Sequence, residues 1–173
     1  MSKILVTGGA GFIGSTLVDK LIDAGNDVTV IDDLSSGKKD YINPAAKFYK
    51  LDICSPKIAK IFAKEKFDFV YHLAAQIDVR KSVADPIFDN KINVVGGLNI
   101  IENSYRNNVK KVIMASTGGA IYGEAEEIPT TENYPTYPLS PYGIHKLTLE
   151  KYLNYYYHVY GLNFTVLRFA NVY

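Results

Sequence analysis

A single cysteine, Cys54, stands in 173 residues. An internal disulfide is thereby excluded, and the composition suits a reducing compartment. No apolar run approaches the roughly 18 residues of a membrane-spanning helix, and Met1-Ser2-Lys3 leads straight into a strand pattern without a leader-like segment. Neither sign of charge dominates: 19 Lys and Arg face 18 Asp and Glu, for a net +1. That balance gives no footprint for nucleic acid or an anionic membrane, and Lys38-Lys39 and Lys110-Lys111 read as solvated loop pairs. His72, His145 and His158 lack metal-ligand spacing and read as structural or solvent-facing, and Cys54, with no base to activate it, reads as a small, partly buried residue. Internal repeats and low-complexity segments are absent as well. The expectation is one cytoplasmic domain over 1–173, with no metal, nucleic acid or membrane partner.

What is present is a 47% hydrophobic composition arranged in alternating short apolar runs and helical patterns. Lys3–Thr7 reads as a buried strand and Gly11–Ala24 as a helix closed by Gly25. Asp27–Ile31 is a second strand, Leu34–Pro44 a polar loop and Lys47–Ile53 a third strand. Ser55-Pro56 reads as an N-cap and first-turn proline for a helix to about Lys66, with Ile58, Ile61 and Phe62 on one face. Phe67–Leu73 is a fourth strand, followed by a helical stretch over Val79–Asn107 broken at Pro86. Lys111–Ser116 is a fifth strand, Gly118–Leu139 a long loop of the functional kind, Pro141–Tyr160 a helix ended by Gly161, and Asn163–Phe169 a sixth strand. The alternation predicts an α/β, Rossmann-type doubly wound parallel sheet in the order 3-2-1-4-5-6, with helices on both faces and ligands at the carboxyl ends of strands 1 and 4.

The glycines between strand one and its helix organise the chemistry. Gly9, Gly11 and Gly14 fit G-x-G-x-x-G, with a wider form from Gly8. Such glycines allow a tight turn, close approach of backbone to a pyrophosphate, and close helix–sheet packing. The helix opening near Gly11 offers free N–H groups and a positive dipole end. Asp32 ends the second strand eighteen residues after Gly14, where a carboxylate accepts both hydroxyls of an adenosine ribose and repels the extra phosphate of NADP. Asp33 competes by one position, and Lys38 and Lys39 keep an NADP reading open. Asp52 and Ile53 are placed to flank an adenine, and Ala74-Ala75 offer small side chains where a cofactor crosses the sheet. Tyr142 and Lys146, four residues apart on one helix face, pair a phenol with an ammonium that favours its ionised form. Such a tyrosine can remove a proton from a hydroxyl while the carbon gives hydride to NAD. Ser116-Thr117 bring hydroxyls to the same side, or form a serine-threonine turn.

Taken in order, these stretches resemble the extended short-chain dehydrogenase/reductase family, in particular nucleotide-sugar epimerases of the UDP-glucose 4-epimerase type. The likeness is carried by Thr7-Gly-Gly-Ala-Gly-Phe-Ile-Gly14, Asp32-Asp-Leu-Ser-Ser-Gly37, His72-Leu-Ala-Ala-Gln76, Asn93 with Gly96, Ser116-Thr-Gly-Gly-Ala-Ile-Tyr-Gly123, Tyr142-x-x-x-Lys146 and Leu167-Arg-Phe-Ala-Asn-Val-Tyr173. It implies NAD contacts at Gly8, Gly11, Phe12, Ile13, Gly14, Asp32, Asp33, Ser36, Gly37, Asp52, Ile53, Leu73, Ala74, Ala75, Gln76, Asn93, Tyr142 and Lys146. It also implies a mechanism. Tyr142 takes the proton of the sugar 4-hydroxyl, NAD takes hydride from C4, and the keto-sugar turns and receives the hydride on its other face. Lys146 holds the nicotinamide ribose, and Asn171, with Ser116 and Thr117, contacts the nucleotide-sugar, a UDP-sugar by this resemblance.

Two departures shape the expectation. Gly118 stands where many family epimerases carry a catalytic serine or threonine, which leaves Thr117, or Ser116 beside it, to supply that hydroxyl. Family chains also continue into a smaller substrate-binding lobe. This chain is therefore expected to be an N-terminal portion, with the C-terminal lobe absent and turnover poor or absent. A 4,6-dehydratase would carry an Asp-Glu pair where Gly118-Gly119 stand. A decarboxylase, a keto-sugar reductase and a non-catalytic dinucleotide-binding module stay open as alternatives. The resemblance further implies a homodimer through helices near 79–107 and 141–160, against tyrosine rings lying half-exposed over a single core.

Overall fold

The structure is a computed structural model and describes residues 1–172. Its centre is β1 (Lys3–Thr7), whose Leu5, Val6 and Thr7 are wholly enclosed. β2 (Asp27–Asp32) and β4 (Phe69–His72) pair with it in parallel on either side. β3 (Lys47–Lys50), β5 (Lys111–Thr117) and β6 (Phe164–Phe169) extend the sheet to the order β3-β2-β1-β4-β5-β6. A parallel sheet buried on both faces needs continuous apolar strands, and Ile4-Leu5-Val6 and Val28–Ile31 supply them at the middle. There Leu5 and Ile31 face one cluster while Ile4, Val6, Val28 and Val30 face another.

The helices cover these faces unequally. α1 (Phe12–Asp23) packs Val18, Leu17 and Leu21 onto one face. α2 (Ile58–Glu65), α5 (Gly97–Arg106) and α6 (Pro141–Tyr160) cover the other with Phe62, Ile100, Ile101, Leu149 and Leu153. α6 has the expected bounds because its ends are fixed locally. Ser140 Oγ accepts the Gly143 N–H at 3.2 Å, Pro141 opens the first turn, and Gly161 closes it at φ +72°. A cap of this kind contributes about 1 kcal/mol. Among the described residues no helix is long and apolar enough to cross a membrane.

Several boundaries differ from expectation. β3 stops at Lys50, because Asp52 accepts the Cys54 N–H at 2.8 Å and turns the chain. Ser55 does not cap α2: its Oγ accepts the Lys57 N–H within a preceding turn, and the helix starts at Ile58. β4 is confined to Phe69–His72 and β6 starts at Phe164. β5 runs one residue further, to Thr117. The stretch after β4 breaks at Pro86 as the proline requires, into α3 (Val79–Ala84) and α4 (Pro86–Asn90), capped by Asp78 and Asp85. Beyond Asn90 a π-helical turn, Lys91–Gly96, leads into α5. Residues 118–139 hold no helix or strand.

Candidate active site

A cleft of about 530 Å³ opens at the carboxyl ends of the strands, where the order reverses between β1 and β4. Open parallel sheets bind ligands at this position. Its first wall is made of backbone. Gly8 has φ +74°, and a Cβ there would lie 2.6 Å from Ala74 N. A Cβ on Gly14 would lie 2.1 Å from Gly8 O. The turn therefore admits no side chain at either position. α1 follows with no capping side chain and no acid in its first turn. Phe12, Ile13 and Gly14, which line the cleft, thus present first-turn N–H groups to a diphosphate.

Asp32 joins this turn to the second strand. Its carboxylate accepts the Ala10 N–H at 3.0 Å and the Leu34 N–H at 2.8 Å, which holds it in place in the cleft wall. Each oxygen keeps lone-pair capacity for the hydroxyls of a ribose. Asp33, Ser36, Gly37, Asp52 and Ile53 line the same end. Lys38 does not: its ammonium lies over the Tyr41 ring, 5.4 Å from the centroid.

Between the walls, Thr7 and His72 lock the ends of β1 and β4. Thr7 Oγ1 lies 2.8 Å from His72 Nδ1 and accepts the Ala74 N–H at 3.3 Å. The hydroxyl and the ring nitrogen share one buried hydrogen bond across the two strand ends. Burial, aided by the Lys146 charge, pushes His72 down to about 3.

The second wall is made of side chains. Leu73, Ala74 and Ala75 follow β4, Ser116 and Thr117 end β5, and Tyr142 and Lys146 stand on the first turns of α6, with Asn171 beyond β6. Lys146 is almost wholly enclosed and donates to Ala115 O at 2.7 Å; burial pulls it down to about 8, against the nearby Glu150 and Asp89. The expected depression of Tyr142 by this lysine is not found. Burial first, and the Asp89 carboxylate second, hold the phenol above its ordinary value. The physical reason is that the ammonium is directed at a β5 carbonyl, while a buried carboxylate acts on the phenol from another helix.

Ser116 and Thr117 are distinguished by their partners. Ser116 Oγ donates to Glu150, which also takes Arg168 at 2.7 Å. Among the described residues no hydrogen bond engages the Thr117 hydroxyl, which lies in the cleft. Arg168 in turn donates to Tyr122 OH at 2.8 Å and Glu132 O at 3.0 Å, anchoring the 118–139 loop to β6. Gln76 and Asn93 stand behind the cleft rather than in its wall. Asn93 grips the Gln76 backbone, donating to its C=O at 2.9 Å and accepting its N–H at 3.0 Å. Sequence reasoning missed the apolar lining from Leu51, Ile77, Val79, Ile92 and Phe169; of these, Leu51 and Phe169 were signalled by standing at strand ends. Tyr173, the last residue of the final motif, lies outside the described residues. Among the described residues no cluster of metal-ligating side chains occurs, and Cys54, partly buried, has its thiol pushed up to about 11 by that burial.

The model of the NAD dependent epimerase/dehydratase family matches residues 4–173. A putative UDP-glucose 4-epimerase of Methanocaldococcus jannaschii is 46% identical over 98% of this chain and 56% of its own length. The crystal structure of the Thermotoga maritima UDP-glucose 4-epimerase with UDP-glucose superposes with a TM-score of 0.97 at 50% identity, over 99% of this chain and 56% of that one. The Thermus thermophilus UDP-glucose 4-epimerase complex with NAD gives 0.93 at 41%, over 96% and 54%. The chain thus spans about half the length of the relatives it matches.

Proposed function

The chain belongs to the NAD dependent epimerase/dehydratase family, and we propose that a protein containing it epimerises a UDP-sugar at C4, with this chain as the cofactor-binding part. One observation carries the reading. A single cleft holds an uncapped helix N-terminus, the Asp32 carboxylate and the Tyr142/Lys146/Thr117 group. Bound NAD would supply a hydride acceptor that later returns the hydride. In this reading the N–H groups of Phe12, Ile13 and Gly14 hold the diphosphate, and Asp32 accepts the adenosine ribose hydroxyls. Lys146 holds the nicotinamide ribose. Thr117 donates to the sugar 4-oxygen while Tyr142 removes its proton, giving a transient 4-keto sugar, and then returns that proton. Burial and Asp89 hold the Tyr142 phenol above its ordinary value, and the positive charge of an oxidised nicotinamide would promote its ionisation when a sugar is to be oxidised. Asn171 contacts the nucleotide-sugar.

Two further parts of the reading concern setting and assembly. Val83, Ile87 and Val95 after β4, and Ile144, Tyr155 and Val159 on α6, leave apolar surface exposed. We assign that surface to a homodimer contact, which a concentration-independent monomer mass would exclude. The setting is cytoplasmic, in keeping with the single thiol.

The test has two arms. The purified chain is denatured and assayed for released NAD. A protein containing it is then incubated with UDP-galactose, UDP-N-acetylgalactosamine and UDP-glucuronate separately. Released NAD together with an epimer is expected, with the 173-residue chain alone turning over poorly or not at all. NADH accumulating without any epimer would overturn this reading.

A further inference from the structure

One buried cluster outside the cleft touches both sides of its second wall. Asp89, on α4, is wholly enclosed. Its carboxylate accepts three side-chain hydrogen bonds, from Gln76 Nε2 at 2.7 Å, Asn93 Nδ2 at 3.1 Å and His145 Nδ1 at 2.5 Å. Gln76 lies between Ala75 and Ile77, which line the cleft. His145 lies three residues after Tyr142 and one before Lys146 on α6, so helical periodicity sets it beside Tyr142. The start of α6 has two other ties. The Tyr142 N–H donates to Ser82 Oγ of α3 at 3.2 Å, and Lys146 donates to Ala115 O of β5. Of these three ties, the one from His145 reaches a buried carboxylate.

We propose that Asp89 and His145 form a buried couple that positions Tyr142 against the 73–79 wall and governs how readily its phenol gives up a proton. The inference rests on the reading of Tyr142 as the proton-transfer residue. Neither member lines the cleft, so both are positioning residues. An enclosed carboxylate is tolerated only when its oxygens are met by donors, and here all three donors come from elements that frame Tyr142. The His145 N–H, directed at the carboxylate, opposes the field that Asp89 exerts on the phenol.

The other charged groups around α6 are accounted for. Lys146 is held by Ala115, and Glu150 by Arg168 of β6 and by Ser116. On α5, Glu102 is taken by Arg106 and Tyr156. His72 of β4 is bonded to Thr7, Asp78 and Asp85 are exposed and accept main-chain N–H groups at the starts of α3 and α4, and Arg80, Lys81, Lys91, Lys151 and His158 are exposed. Asp89 is thus the carboxylate that weighs on Tyr142, consistent with its part in holding the phenol protonated.

The test uses the 173-residue chain with 13C at the tyrosine Cζ, the Tyr142 signal being identified by its loss in Tyr142→Phe. Its ionisation is followed against pH by NMR in Asp89→Asn, His145→Leu and the double variant. Asp89→Asn is expected to raise the ratio of phenolate to phenol at a given pH roughly tenfold. His145→Leu is expected to lower that ratio. The double variant leaves no unpaired charge, which protects its folding, and is expected to follow Asp89→Asn. Opposite signs from two touching residues would not arise from loosened packing alone. An unmoved Tyr142 in the double variant, or shifts of the same sign in the two single ones, would overturn the couple. No turnover is required, so the two readings fail separately. Absent epimerase activity would remove the proposed function and leave the NMR outcome standing, whereas an unmoved Tyr142 in an active enzyme would remove the couple alone.

Discussion

The two walls of the cleft are built on different principles. The wall formed by the first glycine turn, α1 and the end of β2 is backbone meeting backbone: Gly8 against Ala74, Gly14 against Gly8, and Asp32 accepting two main-chain N–H groups. The wall formed after β4, β5 and β6 is side chains held by other side chains, with Lys146 directed at Ala115, Ser116 at Glu150, and His145 at Asp89. The glycine turn of the first wall is fixed by steric exclusion, and the Asp32 carboxylate beside it is clamped by main-chain N–H groups rather than by other side chains. A side-chain wall depends on buried charges whose proton affinities are set by their neighbours. In the proposed reading the first wall suits holding the diphosphate and adenosine ribose, and the second suits moving protons beside the nicotinamide ribose.

Four measurements would break or sharpen this contrast. The largest effect is expected in a protein containing the chain when Tyr142→Phe removes the proton acceptor: kcat should fall about 10²–10⁴-fold, with NAD content unchanged. Loss of bound NAD alongside would mean that the walls do not divide their tasks. Next, Asp32→Asn removes a charged acceptor and should weaken NAD binding about 10- to 100-fold. Titration calorimetry on the chain checks this, and unaltered affinity would move the ribose contact to Asp33.

Gly14→Ala places a methyl against the Gly8 carbonyl and should cost about 1–3 kcal/mol, a drop in Tm of roughly 3–10 °C. A variant as stable as the parent sequence would mean that the first wall tolerates side chains after all. The smallest effect belongs to His72, on the seam between the walls. Folding lowers its proton affinity from an ordinary 6.5 to about 3. Between those values the unfolded chain binds a proton that the folded one does not, so stability is lost as pH falls from 6.5 toward 3. His72→Asn keeps a hydrogen-bonding partner for Thr7 and should flatten that acid limb in denaturant titrations. An unchanged limb would show that His72 titrates normally.

The same contrast explains what was legible in the sequence. Glycine spacing, an acid at a strand end and an amphipathic alternation are local, and they located β1, α1, β2 and Asp32 within a residue or so of their observed bounds. Tyr142 and Lys146 were legible as a pair because four residues in a helix fix their separation. Their electrostatics were not, since Asp89 and Ala115 reach them from remote segments. Gln76 and Asn93 carried a family likeness, yet the fold turns both side chains to Asp89, and that of Asn93 also to the Gln76 backbone. The split of 79–107 at Pro86 followed from the missing amide hydrogen, but no local signal marked the π-helical turn after Asn90.

By itself the sequence determined the order of strands and helices, the glycine cradle with its acid and the presence of a Tyr-x-x-x-Lys helix, because these depend on spacing and on sterics between near neighbours. Only the tertiary structure decided that, among the described residues, Thr117 rather than Ser116 has a hydroxyl with no hydrogen-bond partner, that Lys146 directs its ammonium at a β5 carbonyl, and that Asp89 bears on Tyr142. Those outcomes turn on burial and on charges brought together from segments more than thirty positions apart, and no local pattern encodes the dielectric in which two such groups meet.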